Sequence, residues 1–202
     1  GVPKQTFTAK VRPGDIKYVD LDKNGFIDTY DQMAIGGTEN PEIVYGFGVN
    51  LRWKELDFGA MFQGIGRTWR ILSSNIMPAS NKGSMYNIFD NYQDRWTVDN
   101  QSQDVFYPRA DYGPNANNSQ KSTWWLRNMS FLRLKNLMLS YTFPQKWLQR
   151  TNFLSSARIY AQGQNLLTFT SFTGMDPEST SNVYKAQYPM SRQFTFGLEV
   201  SF

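Results

Sequence analysis

The chain has 202 residues, a net charge of +4, 40% hydrophobic residues and 16% aromatic residues. Cysteine and histidine are both absent, which excludes disulfides, thiol nucleophiles, serine–histidine triads and the common zinc sites. Mean hydropathy is -0.53 and no apolar run approaches the roughly 18 residues of a spanning helix, so a helical membrane protein is excluded; the scattered cations argue against nucleic acid as a partner.

Residues Gly1-Val2-Pro3-Lys4-Gln5-Thr6 lack the charged-then-apolar start of a secretory leader. For a cell-surface protein, the expectation is that the leader has been removed or that the chain is the C-terminal piece of something longer. An acidic loop follows. Asp20, Asp22, Asn24, Asp28 and Asp31 fall at positions one, three, five, nine and twelve of a twelve-residue loop. Gly25 sits at the sharp turn, and the carbonyl of Phe26 is placed to serve at seven. This is the EF-hand calcium pattern of hard oxygen ligands, with carboxylates that repel one another unless a cation lies among them. Position twelve is Asp31 rather than Glu, and the flanks are too short for helices, so the expectation is structural calcium and not a sensor. The competing reading is an Asx-rich turn without metal.

Five later segments alternate with period two. The first, Tyr45–Trp53, puts Tyr45, Phe47, Val49, Leu51 and Trp53 on one face. The second, from Leu56 to Gly64, does the same with Leu56, Phe58, Ala60 and Phe62. The third is clearest over Asn136–Phe143, with Leu137, Leu139, Tyr141 and Phe143 against Asn136, Met138, Ser140 and Thr142. The fourth, Ala157–Gln164, sets Ala157, Ile159, Ala161 and Gly163 against Arg158, Tyr160, Gln162 and Gln164. The fifth, Gln193–Phe202, sets Phe194, Phe196, Leu198, Val200 and Phe202 against Gln193, Thr195, Gly197, Glu199 and Ser201. Connections alternate too: Lys54-Glu55 and 144–156 are short, while 65–135 and 166–192 are long.

Strands of about ten residues, alternating apolar and polar, with short turns at one end and long loops at the other, are the pattern of outer-membrane barrels. The expected fold is all-β: an antiparallel transmembrane β-barrel segment, with residues 1–44 as an extracellular segment carrying the acidic loop and 45–202 as C-terminal barrel strands and loops. Five strands do not close such a barrel, so the remainder must come from other sequence. A soluble β-sandwich with a long insertion is the alternative. On the barrel reading, Leu198→Arg damages assembly and Gly197→Arg is milder, because Leu198 faces lipid and Gly197 the lumen.

In the long loops, Ile88–Trp96 is predicted to form a short helix with Ile88, Tyr92 and Trp96 on one side. Trp69, Tyr86, Trp96, Trp124 and Trp125 stand among amides and arginines, which suits them to contact a ligand or partner, although self-packing of the loop gives the same pattern. Pro108-Arg109 and Asp176-Pro177-Glu178 read as loop corners.

Several stretches together resemble the C-terminal part of SusC/RagA-type TonB-dependent outer-membrane transporters. They are Gly14-Asp15-Ile16-Lys17-Tyr18 before the acidic loop, Arg95-Trp96-Thr97, Ser130-Phe131-Leu132-Arg133-Leu134-Lys135-Asn136, Gly163-Gln164-Asn165-Leu166, Gly174-Met175-Asp176-Pro177-Glu178, and the closing Phe194-Thr195-Phe196-Gly197-Leu198. The resemblance implies a barrel of roughly 22 strands, an N-terminal plug, and import of oligosaccharides or peptides driven through TonB. It also implies a SusD-type surface lipoprotein as lid and a place in the outer membrane. No catalysis is expected. The alternative function is a calcium-stabilised β domain that binds glycans at the cell surface.

Overall fold

The computed structural model describes residues 2–8, 10–72, 90–111, 113, 115–149, 153–173, 176–178 and 190–202. The elements in chain order are β1 (Lys4–Gln5), β2 (Phe26–Ile27), β3 (Ile43–Trp53), β4 (Leu56–Gly66), β5 (Trp69–Ile71), β6 (Leu126–Asn128), β7 (Phe131–Thr142), α1 (Gln145–Leu148), β8 (Ser156–Thr170) and β9 (Gln193–Ser201). They fall into two compact units that interleave along the chain. One comprises residues 1–37, 69–127 and 180–186, the other residues 38–68, 128–179 and 187–202.

The second unit is a five-stranded sheet in the order β3-β4-β7-β8-β9. Every neighbouring pair in it is antiparallel. Register carries the alternation of each strand across the whole sheet. Val49 lies opposite Ala60, Ala60 opposite Leu137, Leu137 opposite Gly163, and Gly163 opposite Phe194. The five apolar half-strands therefore merge into one continuous face, as a period of two requires when registers match. No second layer covers that face among the described residues: Leu51 is 59% exposed, Leu198 67% and Phe196 79%.

Strands β7 and β8 are longer than strict alternation suggests. The register shifts between Leu134 and Asn136, so Leu134 and Leu137 share the apolar face although they are three residues apart. Asn165 in β8 takes a positive φ of 53° in the same region, where β8 skips from Gln164 to Leu167. Paired bulges of this kind break the period without ending the strand.

At the short-connection end the sheet carries a rim of aromatic rings. Trp53, Trp147, Phe153 and Phe202 are all exposed. Phe153 stacks on Phe202 at 6.3 Å, Phe143 meets Trp147 at 6.2 Å, and Lys54 Nζ lies 5.1 Å from the Trp53 ring. Girdles of aromatic rings of this kind belong where apolar and wet surroundings meet.

The first unit is built from loops. β1 and β2 pair in parallel and β5 pairs with β6. Its core is Trp125, Leu72, Tyr107, Ile27 and Ile16, all buried.

Candidate functional site

The acidic loop begins at Asp20 and ends in a one-turn 3-10 helix, Thr29–Asp31. Lys23 and Gly25 adopt φ of 61° and 87°, which folds the loop tightly enough for its carboxylates to converge. One carboxylate oxygen each from Asp20, Asp22 and Asp31 lies within 4.8 Å of the others. Asp20 Oδ2 accepts from the Gly25 backbone N–H at 2.8 Å, while its Oδ1 is buried and has no hydrogen-bond partner. Asp31 accepts backbone N–H groups from Leu21 and Asp28, at 2.6 and 2.9 Å. The Asp28 hydrogen bond and then that of Leu21 hold its carboxyl below the usual carboxylate range.

The other expected ligands are arranged differently. Asp28 is the N-cap of the 3-10 helix and accepts from Tyr30 N–H at 2.7 Å, in a reciprocal capping box with Asp31. Asn24 Oδ1 accepts from Phe26 N–H at 2.7 Å, and its Nδ2 donates to Asp22 at 2.9 Å. Phe26 lies in β2. Three of the six expected ligands, at positions one, three and twelve, are thus gathered around one point. The donor set is all oxygen, which is what a hard cation selects.

The aromatic residues divide by burial. Trp125 has no exposed surface, and its Nε1 donates to the Asn118 carbonyl at 2.9 Å. It belongs to the core and cannot meet a ligand, which corrects the expectation from sequence; its neighbours Tyr107 and Asn118 close around it. Trp124 is partly buried and donates to the Phe106 carbonyl at 3.2 Å. The Trp96 indole lies over Gly14, whose φ is 86° and where a Cβ would come within 2.2 Å of the ring. Trp69 packs against Gly37 and stays 36% exposed. Tyr86 and Ile88 lie outside the described residues, and the expected helix is present as a 3-10 segment, Asp90–Gln93.

A buried polar hub was not anticipated from the sequence. Asp15, whose side chain is sealed from solvent, accepts from Arg109 Nε at 3.1 Å, from Asn115 Nδ2 at 3.1 Å and from Asn118 Nδ2 at 3.0 Å. Asn118 Oδ1 accepts the Ile16 N–H at 2.9 Å, and Asn117 Nδ2 donates to the Ile16 carbonyl at 2.9 Å. Burial lowers the pKa of Arg109, but the Asp111 and Asp15 carboxylates outweigh that and hold it above its ordinary value. Burial likewise pushes the Tyr18 hydroxyl up, and it donates to the Asn117 carbonyl at 2.6 Å. The signal in the sequence was Gly14-Asp15-Ile16 together with the amides at 115, 117 and 118, residues that turn chemistry also explains.

On the sheet, the polar face holds a shallow recess of about 650 Å³ floored by Gly46, Gly48 and Gly59 and bordered by Asn50, Asn136 and Gln162 together with Met61 and Met138. No ionisable side chain lines it. Neutral amides beside methionines over bare backbone suit uncharged solutes with both polar and apolar surface.

No family model matches the chain. It is 32% identical, over 98% of its length, to TonB-dependent receptor P3 of Formosa agariphila, of which it spans 20%. It is 24% identical, over its whole length, to TonB-dependent receptor SusC of Bacteroides thetaiotaomicron, of which it spans 19%. Among solved structures, the RagAB peptide transporter matches 87% of the chain at a TM-score of 0.69 and 36% identity, the chain covering 19% of that one. The RagAB peptide importer in its open-open state matches 92% at a TM-score of 0.70 and 35% identity. The chain belongs to the SusC/RagA type of TonB-dependent receptor. It spans about one fifth of the length of these SusC/RagA-type relatives. Its sheet is an antiparallel β-barrel segment, and its described residues include no helix long and apolar enough to cross a membrane.

Proposed function

We propose that this chain forms part of the wall and outer vestibule of a TonB-dependent importer of oligosaccharides or peptides in an outer membrane. The observation that carries the reading is the exposed apolar face that runs unbroken over five strands, backed by a polar one. A sheet that presents this much apolar surface to water is unfavourable, at roughly 25 cal/mol per Å², whereas hydrocarbon is its natural solvent. The aromatic rim then lies at the periplasmic interface and the long loops lie outside. No covalent chemistry is assigned to it. Its work is solute binding at amides and aromatic rings, with energy delivered through TonB, and a SusD-type lipoprotein is the expected lid. A soluble glycan-binding domain would have to cover the apolar face, and its exposure speaks against that alternative.

The test is extraction of the native full-length polypeptide from membranes. It should stay in the pellet through alkaline and urea washes and need detergent for release. Recovery in plain buffer overturns the reading.

Calcium at the acidic loop is part of the same proposal. The all-oxygen convergence of Asp20, Asp22 and Asp31, with Asp20 Oδ1 unpartnered, supports it. When bound, the ion would neutralise clustered carboxylates and stiffen the loop. Calcium should raise the melting temperature of the detergent-solubilised protein, and Asp22→Ala should abolish that rise; equal melting with and without calcium excludes the site.

A further inference from the structure

Two stretches singled out in the sequence still have no role: Phe131-Leu132-Arg133-Leu134-Lys135-Asn136 and Asp176-Pro177-Glu178. In the fold they meet. Arg133, on the polar face of β7 near the end with the long connections, is 2% exposed. Its Nη2 donates to Asp176 Oδ1 and its Nη1 pairs with Glu178 Oε2 at 3.1 Å. Lys135 Nζ donates to both oxygens of Glu178 at 2.8 Å. Asp176 Oδ1 also accepts the Glu178 N–H at 2.9 Å, which curls the tripeptide around its own carboxylate, and Pro177 between them is buried.

The β7 bulge lies beside this meeting and brings Asn136 to the same side as the two cations. With strict alternation Lys135 would point inward and Asn136 outward; the register shift gives the strand one extra residue there, so that Arg133, Lys135 and Asn136 all serve the polar side. Past the end of β8 the chain turns back at once. Thr170 Oγ1 donates to the Ser130 carbonyl at 2.9 Å and accepts the Phe172 N–H at 3.1 Å, and Phe172 is buried.

We propose that these four ionic residues form a clasp that straps Asp176-Pro177-Glu178 onto the polar face of the sheet, so that this tripeptide narrows the passage at its outer mouth. The inference rests on the barrel reading, which makes the polar face the lumen wall. The two cations and two carboxylates cancel, so the strapped wall is locally neutral, like the recess further along the same face. Ion pairs on open surfaces contribute little, but the Arg133 guanidinium is out of water and has met a partner 43 residues along the chain. A clasp is what that geometry provides, since a guanidinium buried without its carboxylates would stand as an uncompensated charge.

These residues include no cysteine, so Pro177→Cys in the native full-length polypeptide, with any cysteine elsewhere in it replaced by serine, supplies a single probe within the strap. Its reaction with a small maleimide is to be followed in detergent, with the clasp intact and in an Asp176→Asn, Glu178→Gln background. The expected result is at least fivefold faster labelling once the carboxylates are gone; a smaller change overturns the clasp. Where the double variant does not assemble, Lys135→Met in place of it must speed labelling at least threefold, and a smaller rise overturns it equally. On intact cells carrying the double variant, a small maleimide should react while a large polymer-linked one is excluded. Equal reaction of both puts the strap outside the mouth and overturns the narrowing. If the protein dissolves in buffer the barrel reading fails, yet the labelling contrast still reports on the clasp alone.

Discussion

Single residues set how tightly this structure tolerates change. Gly14 combines a left-handed φ with an indole lying where its Cβ would be. Gly14→Ala must therefore strain the backbone, by about 1–2 kcal/mol, and also displace Trp96. We expect a lower melting temperature and a red shift of tryptophan emission in the variant. Leu198 is exposed on the apolar face, and Leu198→Arg is expected to cost roughly 2–4 kcal/mol at mid-bilayer depth, seen as a lower urea midpoint of the folded protein in lipid vesicles. The milder control expected at Gly197 needs correction. A Cβ there would come within 2.2 Å of the Tyr160 ring on the paired strand, so Gly197→Arg disrupts for steric reasons unrelated to the lumen. Thr195, opposite Gln162 on the same polar face, is the proper comparison. Thr195→Arg should shift the midpoint by less than half as much as Leu198→Arg.

Among elements, the strands were readable because alternation is a local property and each half-strand carried enough residues to show it. β9 spans Gln193–Ser201, as its pattern indicated. β7 and β8 were readable only up to their bulges: beyond Asn136 and Gln164 the period slips, and periodicity alone treats a slip as an end. The acidic loop was readable as a turn with converging oxygens. Its division of labour was not, because whether Asp28 ligates or caps depends on the 3-10 turn that follows it. Partnerships over long separations, Arg133 with Asp176 or Asp15 with Asn118, leave no periodic trace in one sequence. Such a pair still has energetic consequences. Arg133→Met strips a cation from two partly buried carboxylates and should destabilise by about 3–5 kcal/mol, the usual cost of breaking a buried pair from one side; chemical denaturation measures it. The Asp176 carboxyl is raised by burial, but hydrogen bonds from Arg133 and the Glu178 N–H, with the guanidinium charge, more than offset that and leave it below the ordinary value. A depressed folded-state pKa contributes stability above the unfolded value, about 3.9, and loses it as pH falls through the folded one. Strap labelling should therefore be flat from neutrality to about pH 5 and accelerate only in stronger acid.

For the whole molecule, the decisive pattern is distribution rather than composition. The same aromatic and aliphatic content would serve a sandwich core, and 16% aromatic residues alone does not choose between them. What chooses is that the greasy half of every long strand lands on one side and leaves most of its large side chains exposed on β3 and β9, while a group of tryptophan and phenylalanine rings gathers at one end. The two units divide the labour accordingly. One is a curtain of strands whose apolar face is widely exposed; the other holds a compact loop core around Trp125 and a sealed carboxylate hub.

The order β3-β4-β7-β8-β9 leaves β3 and β9 each with one bare margin among the described residues. Eleven residues of β3 and nine of β9 present their amide and carbonyl rows to whatever comes alongside. Produced by itself, this polypeptide would be a stave without its cask, and its margins would recruit one another. Purified preparations of the isolated chain should therefore grow into sheet-rich ribbons unless neighbouring staves are supplied in trans.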